Sequence, residues 1–256
     1  MPKFIPVTKT DFADKRWNRI SKYSFTSDDT ICPLVVQEMT KAVLSLPIAI
    51  AYINEQPTPV AVQGIKPNSN VLVDGNGKWL GRYIPAAYRS YPFVLAKTDQ
   101  DDQVLCFDED SELFSTDGEA FFDDNGDPSE TVKGIMSFLT QVQKSRISTQ
   151  QMCTLLHDKE LIQPWPITIK AETAEVPVEG LFRINEAALN ALDKDDFDEV
   201  RQAGALPLIY CQLLSMQHLM GIMKLVEQRD QQVQNQATQE LDIDKMFGES
   251  DGLFKF

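Results

Sequence analysis

The chain has 256 residues, 43% of them hydrophobic and 9% aromatic, which suits one large core and excludes a largely disordered chain. The formal charge is −14, and thirteen acids with no Lys or Arg fall between Thr98 and Val132, so without that stretch it would be only −1. A surface of that sign repels phosphate backbones and anionic lipid, which argues against nucleic acid and membrane as partners.

Residues 1–30 are polar and irregular, with Trp17 and Phe25 as anchors. A short helix is predicted over Pro33–Leu44, with Thr30 as its cap. The runs Pro47–Ile53 and Pro59–Ile65 are β-rich, and Gln56-Pro57-Thr58 between them suggests a hairpin. Val71–Val73 leads into Asp74-Gly75-Asn76-Gly77 and then Lys78–Leu80, a strong turn signal because those positions tolerate positive φ. Pro92–Lys97 and Gln103–Asp108 form another strand pair, making the first half largely antiparallel sheet.

Asp127, Pro128 and Glu130 have the chemistry of a helix start, and Ile135, Leu139 and Val142 repeat at helical spacing. Ser148 with Gln151 makes a second capping box, so 127–165 reads as a helical hairpin ending at Gln163–Pro166. Pro166–Ala171 and Val176–Ile184 alternate like strands, with Gly180 suggesting an edge or bulge. Asn185 caps a short helix, Asp195 or Asp196 another that Gly204 ends, and Pro207 opens a helix from about Leu206 to Gln231. The fold class is α+β: antiparallel sheet packed with a helical hairpin and a long C-terminal helix. Residues 1–230 form a single domain, with any sub-division near 127–165. Residues 231–256 are a polar linker and a tail.

The four cysteines are far apart and each sits in an apolar run, as free buried thiols do in a reducing compartment. The opening residues lack the apolar segment of an export signal. The longest apolar stretch, Leu208–Val226, is interrupted by polar residues before it reaches the ~20 residues of a spanning helix. These features point to the cytoplasm.

The segment Trp79-Leu80-Gly81-Arg82-Tyr83-Ile84-Pro85-Ala86, followed by Arg89-Ser90-Tyr91-Pro92-Phe93, resembles the SapC family. So do Phe107–Ser111, Gly180–Ile184 and Gly204–Tyr210, in the same order and spacing, and the similarity covers roughly residues 5–230. The resemblance implies a family named after a protein linked to bacterial surface layers. Its genes often neighbour flavin-dependent halogenase-like proteins, cupin-like hydroxylases and TonB-dependent receptors. It carries over no catalytic residues.

Trp79, Arg82, Tyr83, Pro85, Arg89, Tyr91 and Phe93, with Tyr88 among them, crowd Arg and aromatic groups into fifteen residues. Such side chains anchor protein or peptide recognition, and equally fill a core beneath a sheet. Asp108, Glu109 and Asp110 are weak metal candidates. The run Asp123–Asp127 is not an EF-hand, because Pro128 replaces its required Gly and no bidentate Glu follows. His157 and His218 have no metal-ligand spacing, and no cofactor fingerprint or nucleophile motif occurs. Leu241, Ile243, Met246, Phe247, Phe254 and Phe256 form an apolar tail that docks either on its own chain or on a partner.

The expected function is therefore a non-catalytic peptide- or protein-binding module, presenting a substrate to a modifying enzyme of the kinds encoded nearby, with no cofactor and no catalytic residue assigned. One alternative is a metal-dependent or acid–base enzyme using Asp108–Asp110 with Arg82 or Arg89. Another is a surface-layer structural protein. A homodimer through the C-terminal helix or the tail is a further expectation.

Overall fold

The computed structural model describes residues 3–98, 102–170 and 175–232; the tail from Leu241 lies outside them. In chain order the elements are β1 (Phe4–Pro6), α1 (Lys9–Phe12), β2 (Arg16–Trp17), β3 (Ile31–Pro33), α2 (Val36–Ala42), β4 (Ile48–Ile53) and β5 (Gln56–Val62). Then come α3 (Ala86–Arg89), β6 (Phe93–Lys97), β7 (Gln103–Asp108), β8 (Phe114–Ser115), β9 (Glu119–Ala120) and α4 (Glu130–Asp158). The last are β10 (Ile162–Pro164), β11 (Ile167–Lys170), β12 (Glu175–Val178), β13 (Phe182–Ile184), α5 (Glu186–Ala191), α6 (Lys194–Gln202) and α7 (Leu206–Ser215). The helical path continues from α7 through the tight turn Met216–His218 to Gln232. The α+β class holds, with every strand pair antiparallel.

Two hydrophobic cores form. The larger lies on the sheet β10-β13-β4-β5-β3, where Ile48, Ile50, Val60 and Val62 meet Leu156, Leu208 and Ile209. Side chains this deeply buried stabilise by roughly 1.5–3 kcal/mol each. The smaller core is aromatic: Phe12, Trp17, Phe93, Phe107 and Phe121 converge beside the sheet β1-β7-β6. Ring pairs such as Trp17–Phe93 (centroids 4.8 Å apart, planes at 80°) meet edge to face, which adds attraction beyond area burial. Helix α4 serves both: Val132 and Ile135 pack on the aromatic core, Cys153 and Leu156 on the larger one.

The predicted helical hairpin over 127–165 is instead this one helix, about 43 Å long at 1.5 Å per residue. No Pro or Gly interrupts Ile135–Asp158. The Ser148 and Thr149 hydroxyls donate back to Ser145 O (3.0 and 2.6 Å) rather than opening a new helix. Its N-cap is Ser129, not Asp127, and Ser129 Oγ accepts from Val132 N. Thr149 Oγ1 also accepts the Val36 N–H at the start of α2 (2.8 Å). Thr30 does not cap α2; its hydroxyl donates to Lys66 O, and Val35 holds the N-cap position. The α6 cap is Asp193, whose Oδ1 accepts from Asp195 N and Asp196 N.

The β4–β5 hairpin turns at Asn54-Glu55, two residues before the predicted Gln56-Pro57-Thr58, with both residues at positive φ (49° and 64°). Val176–Ile184 is two strands in different sheets, divided at Gly180 with φ 81°. The helix Leu206–Gln232 is long and apolar enough to cross a membrane by length and composition alone, and 39% of its most apolar window is buried. The polar residues within it serve the fold. Gln212 donates to Ile48 O and accepts from Ile184 N, and Ser215 Oγ accepts from Ile48 N. Tyr210, Leu214 and Met220 remain exposed on this helix.

Candidate functional site

The Trp79–Phe93 block divides into a buried half and an exposed half. Trp79, Pro85, Tyr88 and Phe93 are buried, Tyr83 and Tyr91 are half-buried, and Arg82 and Arg89 are exposed. Trp79 Nε1 donates to Tyr83 O (3.0 Å), and its ring packs against Tyr23 and Tyr88. The Tyr88 hydroxyl lies 2.9 Å from Asp29 Oδ2 and 3.0 Å from Gln63 Oε1. Gln63 Oε1 also accepts from Asn70 Nδ2 (2.8 Å). Much of the block is thus core and scaffold.

Beneath it lies Glu38 of α2, only 5% exposed. Its Oε1 accepts from Val35 N (3.0 Å), and its Oε2 accepts from the Tyr83 hydroxyl (2.8 Å) and Ala86 N (2.7 Å). Three donors compensate the desolvation of this carboxylate. They also fix α3 against α2. Burial, reinforced by Glu38, holds the Tyr83 phenol far above its usual pKa. Arg89 closes the chain: its Nη2 donates to the Tyr83 hydroxyl (3.3 Å), and its guanidinium lies over the rings of Phe138 (5.0 Å) and Tyr83 (5.7 Å).

Two adjoining hollows follow α4 and share Ser90. A cleft of about 510 Å³ lies over the first turns of α4, between Ile135 and Phe138 on one side and Trp17, Arg89 and Tyr91 on the other. A groove of about 1020 Å³ continues along the helix, with Leu139, Arg146 and Ile147 facing Leu34, Ala86 and Leu95. Arg89, Tyr91 and Phe93 of the block line the cleft; the Arg82 side chain lines neither hollow. Tyr91 stacks on Phe25 (3.9 Å, 13°) and donates to Asp108 Oδ2 (3.1 Å); burial and then Asp108 push its phenol up to about 12.

The groove meets an edge strand. In the sheet β1-β7-β6, β6 has a neighbour on one side only among the described residues. Asp108 N donates to Pro92 O and Thr98 N to Asp102 O, so the even-numbered residues of β6 face β7 and the backbone of Leu95 points outward. Across the groove, β5 is no such edge: β3 covers Val60–Val62, Pro59 O accepts from Leu34 N (2.8 Å), and Pro57, beyond that cover, has no N–H to offer.

The acidic candidates are committed elsewhere. Asp108 is buried, accepting from Tyr91 and from Asp110 N (3.2 Å), while Glu109 pairs with Lys3 (2.5 Å). Asp123 Oδ1 accepts from Asn125 N and Asp127 N, both at 2.9 Å, which makes that run a self-bonded turn. Among the described residues no three His, Cys, Asp or Glu side chains are grouped to hold a metal ion. His157 Nδ1 lies 2.9 Å from the Tyr52 hydroxyl and His218 Nε2 2.8 Å from Val43 O, far apart in the fold. All four cysteines are free and buried, and burial pushes the Cys32 and Cys153 thiols up to about 12.

The profile of the SapC family matches residues 7–222, most of the chain. The chain belongs to the SapC family. Comparison with curated proteins and with solved structures gives no match. In this SapC-family chain the matched span takes in both hollows, the whole of the Trp79–Phe93 block and both cores except Ile5 of the smaller and Met223, Leu225 and Val226 of the larger.

Sequence reasoning missed Glu38, Trp17 as a cleft residue, and the α4 wall. For Glu38 a signal exists: Val35, Met39 and Ala42 define the inward stripe of α2, and an acid at 38 falls on it. For Trp17 no local signal exists, because the cleft walls it faces, Arg89–Phe93 and Thr131–Phe138, lie more than seventy residues away, with only Arg19 and Ile20 contributed by its own segment.

Proposed function

We propose that this SapC-family chain is a non-catalytic binding module that holds an extended peptide or protein segment in the groove along α4. The observation that carries this reading is the outward backbone of Leu95 on an edge strand beside a groove of about 1020 Å³ whose walls mix apolar side chains with polar ones. An extended segment can add to such an edge by backbone hydrogen bonds, and pockets for alternate side chains then supply selectivity. With β5 covered by β3 and Leu34 and lacking an N–H at Pro57, β6 is the edge for this pairing. The half-exposed Ile147 (55%) offers an apolar contact on the opposite wall.

The test uses decapeptides selected from a random display library against the full chain. Leu95→Pro removes the one outward N–H at the centre of β6 and leaves its ladder with β7 intact. It is expected to weaken the selected peptides at least about tenfold while the circular dichroism is unchanged. Ile147→Glu is expected to weaken them from the other wall. No enrichment over an inert protein, or full affinity in the Leu95→Pro chain, would remove the groove as the site.

A further inference from the structure

The cleft beside the groove has a charge opposite to that of the chain around it. The net charge is −14, yet the ionisable side chains lining the cleft, apart from Tyr91, are Arg19 and Arg89, with no carboxylate. Arg19 Nε is engaged by Glu119 at the rim. Arg89 has no carboxylate partner among the described residues. Its contacts are the Phe138 and Tyr83 rings and the Tyr83 hydroxyl, which is itself turned toward Glu38. Those contacts steer the guanidinium without neutralising it, and most of its five N–H donors stay available.

The rest of the lining is apolar and aromatic: Trp17, Ile20, Phe93, Ile135 and Phe138. Trp17 is 4% exposed, and its Nε1–H has no acceptor among the described residues. A buried indole N–H without a partner is uncommon, since such groups normally find an acceptor. A cationic fork and an aromatic wall in one hollow of about 510 Å³ define a ligand with a carboxylate next to a ring or branched apolar group, and the buried Trp17 N–H beside it serves as a reporter of the site.

We infer that this cleft binds an aromatic carboxylate, with Arg89 holding the carboxylate and the Trp17–Ile135–Phe138 walls holding the ring. Because the cleft adjoins the groove, with Ser90 lining both, the carboxylate is the end of the segment proposed above or a free small acid of the same chemistry. The peptide version rests on the groove reading; the small-acid version does not.

The experiment is two-dimensional amide NMR of the full chain, with the Trp17 indole N–H as reporter. The probes are N-acetylphenylalanine, its neutral amide, and a decapeptide ending in phenylalanine. At millimolar concentration the acid is expected to move the Trp17 resonance and the amide is not. Arg89→Gln is expected to weaken the acid about tenfold or more, Arg89→Lys to restore part of the loss, and Arg82→Gln, outside the cleft, to change nothing. The decapeptide is expected to bind more tightly than the small acid, and Leu95→Pro to remove only that gain. Equal shifts from acid and amide, no shift from either, or an Arg89→Gln chain that responds like the parent would overturn the cleft. A decapeptide no tighter than the small acid would overturn the peptide source and leave a small-acid site standing.

Discussion

Removing the Glu38 carboxylate should unlock α3 from α2. In a Glu38→Ala chain the Val35 N–H, the Ala86 N–H and the Tyr83 hydroxyl each lose their acceptor. The two backbone groups belong to buried residues, at 9% and 3% exposure, and water does not reach them readily. An unsatisfied buried donor costs about 1–3 kcal/mol. Tyr83 is half-buried and can turn toward solvent, so its share is smaller. Relief of the buried charge offsets part of the total, leaving a net loss of about 3–5 kcal/mol. For a chain this long, that lowers Tm by roughly 6–20 °C. Glu38→Gln keeps one acceptor oxygen and should cost about 1–2 kcal/mol. Urea denaturation of the parent and both variants measures these values, and a cycle with Tyr83→Phe isolates the shared bond. Tyr83→Phe should cost about 1 kcal/mol in the parent and nearly nothing in Glu38→Ala. A Glu38→Ala chain within about 0.5 kcal/mol of the parent, or equal Tyr83→Phe costs in both backgrounds, would refute the clamp.

Two further outcomes follow from the same geometry. A Cβ at Gly118 would lie 2.2 Å from Trp17 O, a backbone atom that cannot yield without parting β2 from β9. Gly118→Ala should therefore cost on the order of 2–4 kcal/mol by denaturation and displace the Trp17 indole resonance; an unchanged resonance would contradict it. Burial raises the Asp29 carboxyl above its unfolded pKa, against the opposing hydrogen bond from Tyr88. Its contribution to stability is thus fully present below the unfolded pKa and is lost as pH rises through the folded one. Asp29→Asn should accordingly be more stable than the parent at pH 7, with the advantage shrinking as pH falls toward 3. An advantage that stays constant across that range would count against the burial of this group.

Where a short sequence stretch decides a conformation alone, the reading succeeds. The β4–β5 and β6–β7 hairpins, the Asn185 cap and the Gly204 helix end are all visible as local chemistry. It fails where two local solutions compete. Ser148 and Thr149 have the chemistry of a helix start and also of hydroxyls that bond a carbonyl one turn back. Two cores pulling on one amphipathic stretch select the second, because a break at 148 would leave Val36 N without Thr149 and part the walls of the groove. The hairpin turn slips by two residues for a similar reason. Proline marks a turn in isolation, yet Pro57 and Pro59 occupy strand positions whose missing N–H faces away from the β4 ladder, and Asn54 takes positive φ more cheaply.

The candidate site was legible only as a composition. Trp79–Phe93 reads as one recognition surface because Arg and aromatic residues have two uses that sequence does not separate: anchoring a partner and filling a core. Burial separates them. Trp79, Tyr88 and Phe93 spend their rings on the interior, and Arg82 reaches solvent away from both hollows, which leaves Arg89 as the cation placed to meet a ligand. What makes Arg89 different is not its neighbours in sequence but Phe138 on a helix forty-nine positions later, and Glu38 fifty-one positions earlier acting through Tyr83. A side chain whose role is set by two distant contacts has no signature in its own segment. The spacing of the block records only the scaffold that brings those contacts together.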